Sequence, residues 1–236
     1  MSRRFQPKDQ HGRNIKMSPV NSNWMFTSQK NKNVLFLQTE DEYKFCYFLE
    51  FDARIQSYIS QPPKIKYHID QECHEYTADF LATTFSHGDC YFEVKTESFN
   101  LTDHKKNEDK YRSIGFDLNR QGYSFYIIDN FISKNRLLNE NMKQLKGYRN
   151  LEVNQAYKKA FQEVFLNYGD EPIKLKKLIK NACRLIEGSK EEATFQAYVL
   201  ISRGIIVFNT HEKFSRDVIV RFADESDINI WNAVPL

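Results

Sequence analysis

The apolar positions of this chain change period several times, and each change marks an element. Residues 1–33 are polar and weakly periodic, and they read as an extended arm. Beyond it Tyr43, Cys46, Tyr47, Phe48 and Leu49 recur at helical spacing, which predicts a helix over Thr39 to Phe51. Thr39 can cap it, and Glu42 three residues later completes a capping-box pattern. Gln61-Pro62-Pro63 bars a helix and opens an extended segment. "KIKYHI" alternates as a strand, "HEYTADFLATTF" is a second, "SHGD" is a turn and "CYFEVKT" is the return strand. The polar stretch 103–121 predicts a surface helix ending near Gly122, and "YSFYIID" predicts a buried strand. "KNRLLNENMKQLKGYRN" predicts a short helix followed by a linker. After about Asn150 the pattern becomes helical. "NQAYKKAFQEVFLNY", "IKLKKLIKNAC" and "KEEATFQAYVLISRG" predict three helices, with Glu187-Gly188-Ser189 turning between the last two. "IIVFNTHEKFSRDVIVRF" predicts two strands around a polar tip, and three helices with a two-stranded ribbon make a winged-helix layout.

Three charges interrupt the apolar hairpin: Asp79, Glu93 and Lys95. Glu93 and Lys95 are two apart on a strand and point to one face. The turn decides whether Asp79 joins them. A two-residue loop at His87-Gly88 puts Asp79 on the opposite face, whereas a three-residue loop, His87 to Asp89, puts it with Glu93 and Lys95. A three-residue loop or a compensating bulge is the expectation. Taken alone, an E-x-K pair on a strand is a surface salt bridge, with Phe92 and Val94 packing inward and the Glu93 face half open. Taken together, two close carboxylates repel unless a cation lies between them, and hard oxygen ligands suit Mg²⁺ or Mn²⁺. A lysine beside them can activate a metal-bound water or stabilise charge on phosphorus. Those parts suit metal-assisted phosphodiester hydrolysis, with Glu42 available as a third carboxylate.

Composition narrows this little. The 236 residues are 41% hydrophobic with a formal net charge of +3, too small an excess to indicate nucleic acid. Its distribution says more: Arg3, Arg4, Lys8, Arg13, Lys16, Lys30 and Lys32 stand against Asp9, the footprint of a DNA-contacting arm or of a self-solvating one. Cys46, Cys73, Cys90 and Cys183 lack Cys-x-x-Cys spacing and read as reduced thiols of a cytoplasmic protein, with no secretory segment or membrane span expected. His68, His74, His87 and His104 lack zinc-ligand spacing. Lys105, Lys106 and Lys110 share their helix with Glu108 and Asp109 and read as a solvated face.

The order of these elements resembles that of the PD-(D/E)xK nucleases, and more closely the TnsA family, the endonuclease subunit of Tn-seven-type heteromeric transposases. The residues carrying this are Glu42, "LEFD" at Leu49 to Asp52, Gln61-Pro62, "YTADF" and "FEVK", over about residues 12 to 130. Ala78 stands where the family has proline, and Glu40 and Asp41 compete with Glu42, which has the family's spacing to "LEFD". The resemblance implies a restriction-endonuclease-like mixed α/β sheet flanked by helices over 34–149, after the basic arm 1–33. A winged-helix-like domain over 150–236 is expected to follow. It implies Glu42, Asp79 and Glu93 as ligands of Mg²⁺ (with Mn²⁺ substituting), Lys95 as the catalytic lysine, and Gln61 near the site. The implied job is cleavage of the 5′ strands at transposon ends in double-stranded DNA, in a bacterial cytoplasm. The implied partners are a TnsB-like DDE transposase and a TnsC-like AAA+ ATPase. A stand-alone restriction or repair nuclease keeps the same chemistry, and a DNA- or protein-binding adaptor with a decayed nuclease core abandons it.

Overall fold

The computed structural model describes residues 24–95, 101–169, 171–224 and 229–236, with the backbone alone over 101–106. The contacts divide the chain into two compact units. One runs through Lys134 and takes in Val234–Leu236; the other is Asn135–Ala233. The boundary expected at 149/150 is therefore displaced. Helix α4 (Arg136–Leu145) and the 3-10 turn Lys146–Tyr148 pack on α7 (Lys190–Ser202) and belong with the second unit.

The first unit is built on a four-stranded mixed sheet in the order β3 (Ile55–Ser60), β6 (Phe80–Thr84), β7 (Asp89–Val94), β8 (Ser124–Ile128). The β3–β6 and β6–β7 pairs are antiparallel, and β7–β8 is parallel. Helix α1 (Glu40–Phe51) covers one face: Phe45 lies 5.7 Å from Phe80 and 5.5 Å from Phe92 between ring centres. Helix α2 (Leu101–Arg120) covers the other, setting Tyr111, Ile114 and Leu118 against Leu81, Tyr91 and Phe125. The short helix α3 (Phe131–Lys134) closes the α1 side through Phe131, 4.8 Å from Phe48. Strand β8 is partly exposed along most of its length rather than buried, because it is the edge of the sheet.

Helix α1 begins where the sequence places it. The Thr39 hydroxyl accepts the Glu42 N–H at 3.1 Å, and Glu40, Asp41 and Glu42 put negative charge at the positive end of the helix dipole. No basic residue of the helix serves its last turn; Lys30 does so from outside, its Nζ donating to the Leu49 and Ile55 carbonyls at 2.8 Å. Lys30 belongs to the turn joining β1 (Trp24–Ser28) to β2 (Asn33–Leu37), so the extended arm expected over 1–33 gives way to a hairpin from Trp24 onward. The basic residues before it lie outside the described residues. Glu50, fully buried, fixes that hairpin. It accepts the Ser28 and Tyr58 hydroxyls and the Gln29 and Lys30 N–H groups, all within 2.7–2.9 Å. Glu50→Ala is expected to lower stability by about 2–4 kcal/mol, since each of these donors loses its acceptor inside the protein. Urea unfolding measures this, and an unchanged midpoint would contradict it. Asp52, also buried, accepts two bonds from the Arg54 guanidinium and the Val234 N–H. Two acids of the "LEFD" run are thus structural.

Three further expectations need correction. The segment expected as one strand over 74–85 is two. Strand β5 (Glu72–Tyr76) pairs with β4 (Ile65–Ile69) in a separate hairpin, the chain leaves it at Thr77, and β6 begins at Phe80. Strand β3, unmarked in the sequence, is an edge of the main sheet and carries a bulge between Ile55 and Ser57. The loop joining β6 to β7 has the expected odd length but the wrong position. Thr83 pairs with Asp89, so Phe85 to His87 form the loop, and Gly88 closes it at φ +70°, a conformation that favours glycine.

In the second unit Asn154 caps α5 (Gln155–Tyr168), and Ser189 caps α7 with its hydroxyl accepting the Glu192 N–H at 3.0 Å. Between them α6 (Leu175–Leu185) follows the two-residue strand β9 (Ile173–Lys174). Strand β11 (Ile219–Phe222) pairs antiparallel with β10 (Ile206–Phe208), as the sequence predicts, and with β9, which it does not. Buried Asn141 on α4 ties the loop between β10 and β11 by accepting the Phe214 N–H and donating to the Glu212 carbonyl. None of the four cysteines is in a disulfide, and no helix among the described residues is long and apolar enough to cross a membrane.

Candidate active site

The charged residues gather where β6 begins, β7 ends and the first turn of α1 arrives. Asp79 immediately precedes β6. Its N–H donates to the Phe92 carbonyl at 3.1 Å, and its Oδ2 accepts the Val94 N–H at 2.8 Å. The paired register of β6 and β7 ends at Phe80 with Phe92; Asp79 lies one residue beyond it, and the charge of Glu93 is felt at its carboxyl. Lys95, two residues after Glu93, follows on the Glu93 face, with its N–H held by the Ile128 carbonyl of β8. Its Nζ donates to Glu93 Oε1 at 2.5 Å. That face is closed rather than half open. Glu93 is 8% exposed, because Tyr76 and Tyr111 lie over it: the Tyr76 hydroxyl donates to Glu93 Oε2, and Lys95 Nζ stands 5.0 Å from the Tyr111 ring centre.

Glu42 comes from the other side of the sheet, on α1. It is buried, and its charge is felt by both Asp79 and Glu93. Its competitors Glu40 and Asp41 pair with Lys44 at 3.2 and 3.7 Å. Glu42 also has a local task, since its Oε2 accepts the Gln38 N–H at 2.9 Å as part of the helix cap.

Burial and crowding set the protonation of these groups. Burial first, then the charges of Glu93 and Glu42, push the Asp79 carboxyl well above the usual aspartate range. Burial likewise raises Glu42, with Glu93 adding to it and the Gln38 and Thr39 bonds partly offsetting it. Burial alone pulls Lys95 down, but the Glu93 charge and hydrogen bond outweigh it, so the ammonium is retained above the ordinary lysine range. Burial and Glu93 also raise the Tyr76 phenol, which stays protonated and therefore a donor.

The residues singled out in the sequence, Glu42, Asp79, Glu93 and Lys95, are thus brought together. Of the histidines, His68 bonds Asp117 at 3.0 Å and His87 bonds Ser86 at 2.9 Å, while the side chain of His104 lies outside the described residues. Tyr76 and Tyr111 went unmarked. Tyr111, Ile114 and Leu118 form an apolar stripe on an otherwise polar helix, and that stripe was the available signal. Lys110, expected on a solvated face, stands 5.0 Å over the Tyr76 ring.

The donor set suits a hard divalent cation by chemistry, with three carboxylates, two of them destabilised in their charged form. It is not drawn together as a ligand shell: among the described residues no group of three or more His, Cys, Asp or Glu side chains is placed to hold an ion. Internal donors account for this, since both Glu93 oxygens are engaged by Tyr76 and Lys95, and Asp79 and Glu42 each bond a backbone N–H. Compared with protein-family models and with curated proteins, the chain matches none.

Proposed function

We propose that this chain is a metal-dependent DNA endonuclease of the PD-(D/E)xK kind, similar to the TnsA subunit that cleaves 5′ strands at transposon ends. The observation that carries the reading is the cluster of three mutually repelling carboxylates, Glu42, Asp79 and Glu93, with Lys95 bonded to Glu93. A four-stranded mixed sheet with a helix on each face supports the restriction-endonuclease-like assignment, and three helices with a small antiparallel sheet support a winged-helix-like second unit.

Glu42, Asp79 and Glu93 would hold Mg²⁺ or Mn²⁺, which when bound supplies a Lewis acid and an activated water. Asp79 is pinned by the Val94 N–H, so its position is fixed before substrate arrives. Glu93 is oriented by Tyr76. Lys95, held protonated, places a positive charge beside the acids, where a phosphodiester gains negative charge as it is attacked. The basic residues Arg3, Arg4, Lys8, Arg13 and Lys16 would follow the DNA backbone. A TnsB-like transposase and a TnsC-like AAA+ protein are the partners this reading calls for.

Strand cleavage of duplex transposon ends by the reconstituted transposase tests it. Lys95→Ala is expected to abolish 5′-strand cutting while leaving 3′-strand cutting by the partner intact. Unchanged 5′ cutting would sink the assignment. Cutting by this chain without any partner would point to a stand-alone nuclease.

A further inference from the structure

Gln61 is the next group to consider at this site. Among the described residues two glutamines are buried, and they are treated in opposite ways. Gln196 is satisfied at both ends: its Oε1 accepts the Asn154 N–H at 3.0 Å, and its Nε2 donates to Glu192 at 3.0 Å. Gln61 is 1% exposed, yet neither its Oε1 nor its Nε2 has a hydrogen-bond partner. Its backbone is also held at φ +50°, directly before Pro62, where a residue other than glycine is strained. A buried polar group left unbonded costs about 1–3 kcal/mol. The fold carries both burdens at one residue.

The location gives them meaning. Ser60 pairs with Phe80, so the next pair along this ladder is Gln61 with Asp79, and the Gln61 N–H donates to the Asp79 carbonyl at 2.8 Å. Asp79 is therefore bonded through its backbone to Gln61 on one side, while its carboxyl feels the charge of Glu93 on the other. An apolar residue at 61 would remove the unbonded amide, so its presence calls for a ligand that supplies the missing bonds. A carboxamide offers one donor and one acceptor together. A phosphodiester oxygen needs a donor, and a water accompanying it can give a proton to the acceptor.

We infer that Gln61 is a substrate-binding residue, with Nε2 donating to a nonbridging oxygen of the phosphodiester and Oε1 accepting from a water beside it. This rests on the nuclease reading and extends it to a residue that is neither an acid nor a base. Gln61→Met tests it, because methionine has nearly the same volume and no amide. Three quantities are measured: the melting temperature of the metal-free protein, Mn²⁺ affinity by calorimetry, and cleavage of a duplex end by the reconstituted transposase. The expected result is an unchanged or higher Tm, unchanged Mn²⁺ affinity, and cleavage reduced roughly 10–100-fold, as loss of a bond to a charged group implies. Gln61→Glu, which sets an anion against the phosphate, is expected to cut no better than Gln61→Met. A lower Tm for Gln61→Met, the mark of an ordinary structural amide, would overturn the inference, as would cleavage at the wild-type rate. If the wild type itself neither binds Mn²⁺ nor cuts, the nuclease reading fails and takes this inference with it.

Discussion

Replacing Asp79 by Asn is expected to make the metal-free protein more stable and, on the nuclease reading proposed above, to abolish cleavage. The Asp79 carboxylate is mostly withdrawn from water and feels the charges of Glu93 and Glu42. In the absence of a cation each of these disfavours its ionised form. Asparagine removes the charge and keeps the shape, and its amide oxygen can still accept the Val94 N–H that Asp79 accepts at 2.8 Å. The gain is expected to be about 1–2 kcal/mol, a few degrees in Tm, in line with other active-site groups replaced by neutral ones. Cleavage is expected to fall by more than about 100-fold, since even residues outside a ligand shell commonly account for 10–100-fold. Thermal unfolding beside a cleavage assay measures both. A variant that is less stable and still active would mean that Asp79 serves the fold alone.

The second large effect is an inverted pH dependence. Asp79 and Glu42 have folded pKa values above their unfolded ones, so the folded state holds their protons more tightly. Their contribution to stability is complete below the unfolded values, about 3.9 for Asp and 4.3 for Glu, and is lost as pH rises through the raised folded values. The surface acids Glu75, Asp117 and Asp217 are shifted the other way by Lys64, His68 and Lys176, but solvent screens those pairs. Lys95, raised as well, loses its contribution only above the ordinary lysine range. From about pH 4 toward neutrality, then, the metal-free wild type is expected to lose stability relative to Asp79→Asn. Mn²⁺ is expected to restore it, more strongly at higher pH, because binding competes with protons for the same oxygens. Tm against pH, with and without Mn²⁺, checks this. Parallel curves for wild type and variant would contradict it.

What the sequence disclosed and what it hid divide along physical lines. Helix α1 was legible because its cap, Thr39 with Glu42, is local. The odd length of the loop between β6 and β7 was legible because strand parity depends only on whether the loop is odd or even. The loop's position was not, because several placements share that parity. The choice fell to the Thr84 hydroxyl, which bonds both the Gly88 carbonyl and the His87 N–H. Strand β3 was missed because it pairs with β6 across a helix-free stretch of Pro-containing chain and a separate hairpin, a contact without local signature. The same distance hid Tyr76 and Tyr111, whose roles exist only once α2 lies against the sheet. The "LEFD" run sat among the residues of interest, yet Glu50 and Asp52 turned out to bind Ser28, Tyr58, Arg54 and Val234. A spacing argument cannot separate an acid that meets a ligand from one that meets a turn.

The central claim is that Glu42, Asp79 and Glu93 form a divalent-cation site held apart by internal donors until an ion arrives. Calorimetric titration of Mn²⁺ into the full chain at neutral pH, with duplex DNA present, tests it most directly. Saturable binding accompanied by proton release, and lost in Asp79→Asn, is the predicted result. No binding to the wild type, or equal binding to the variant, would contradict it.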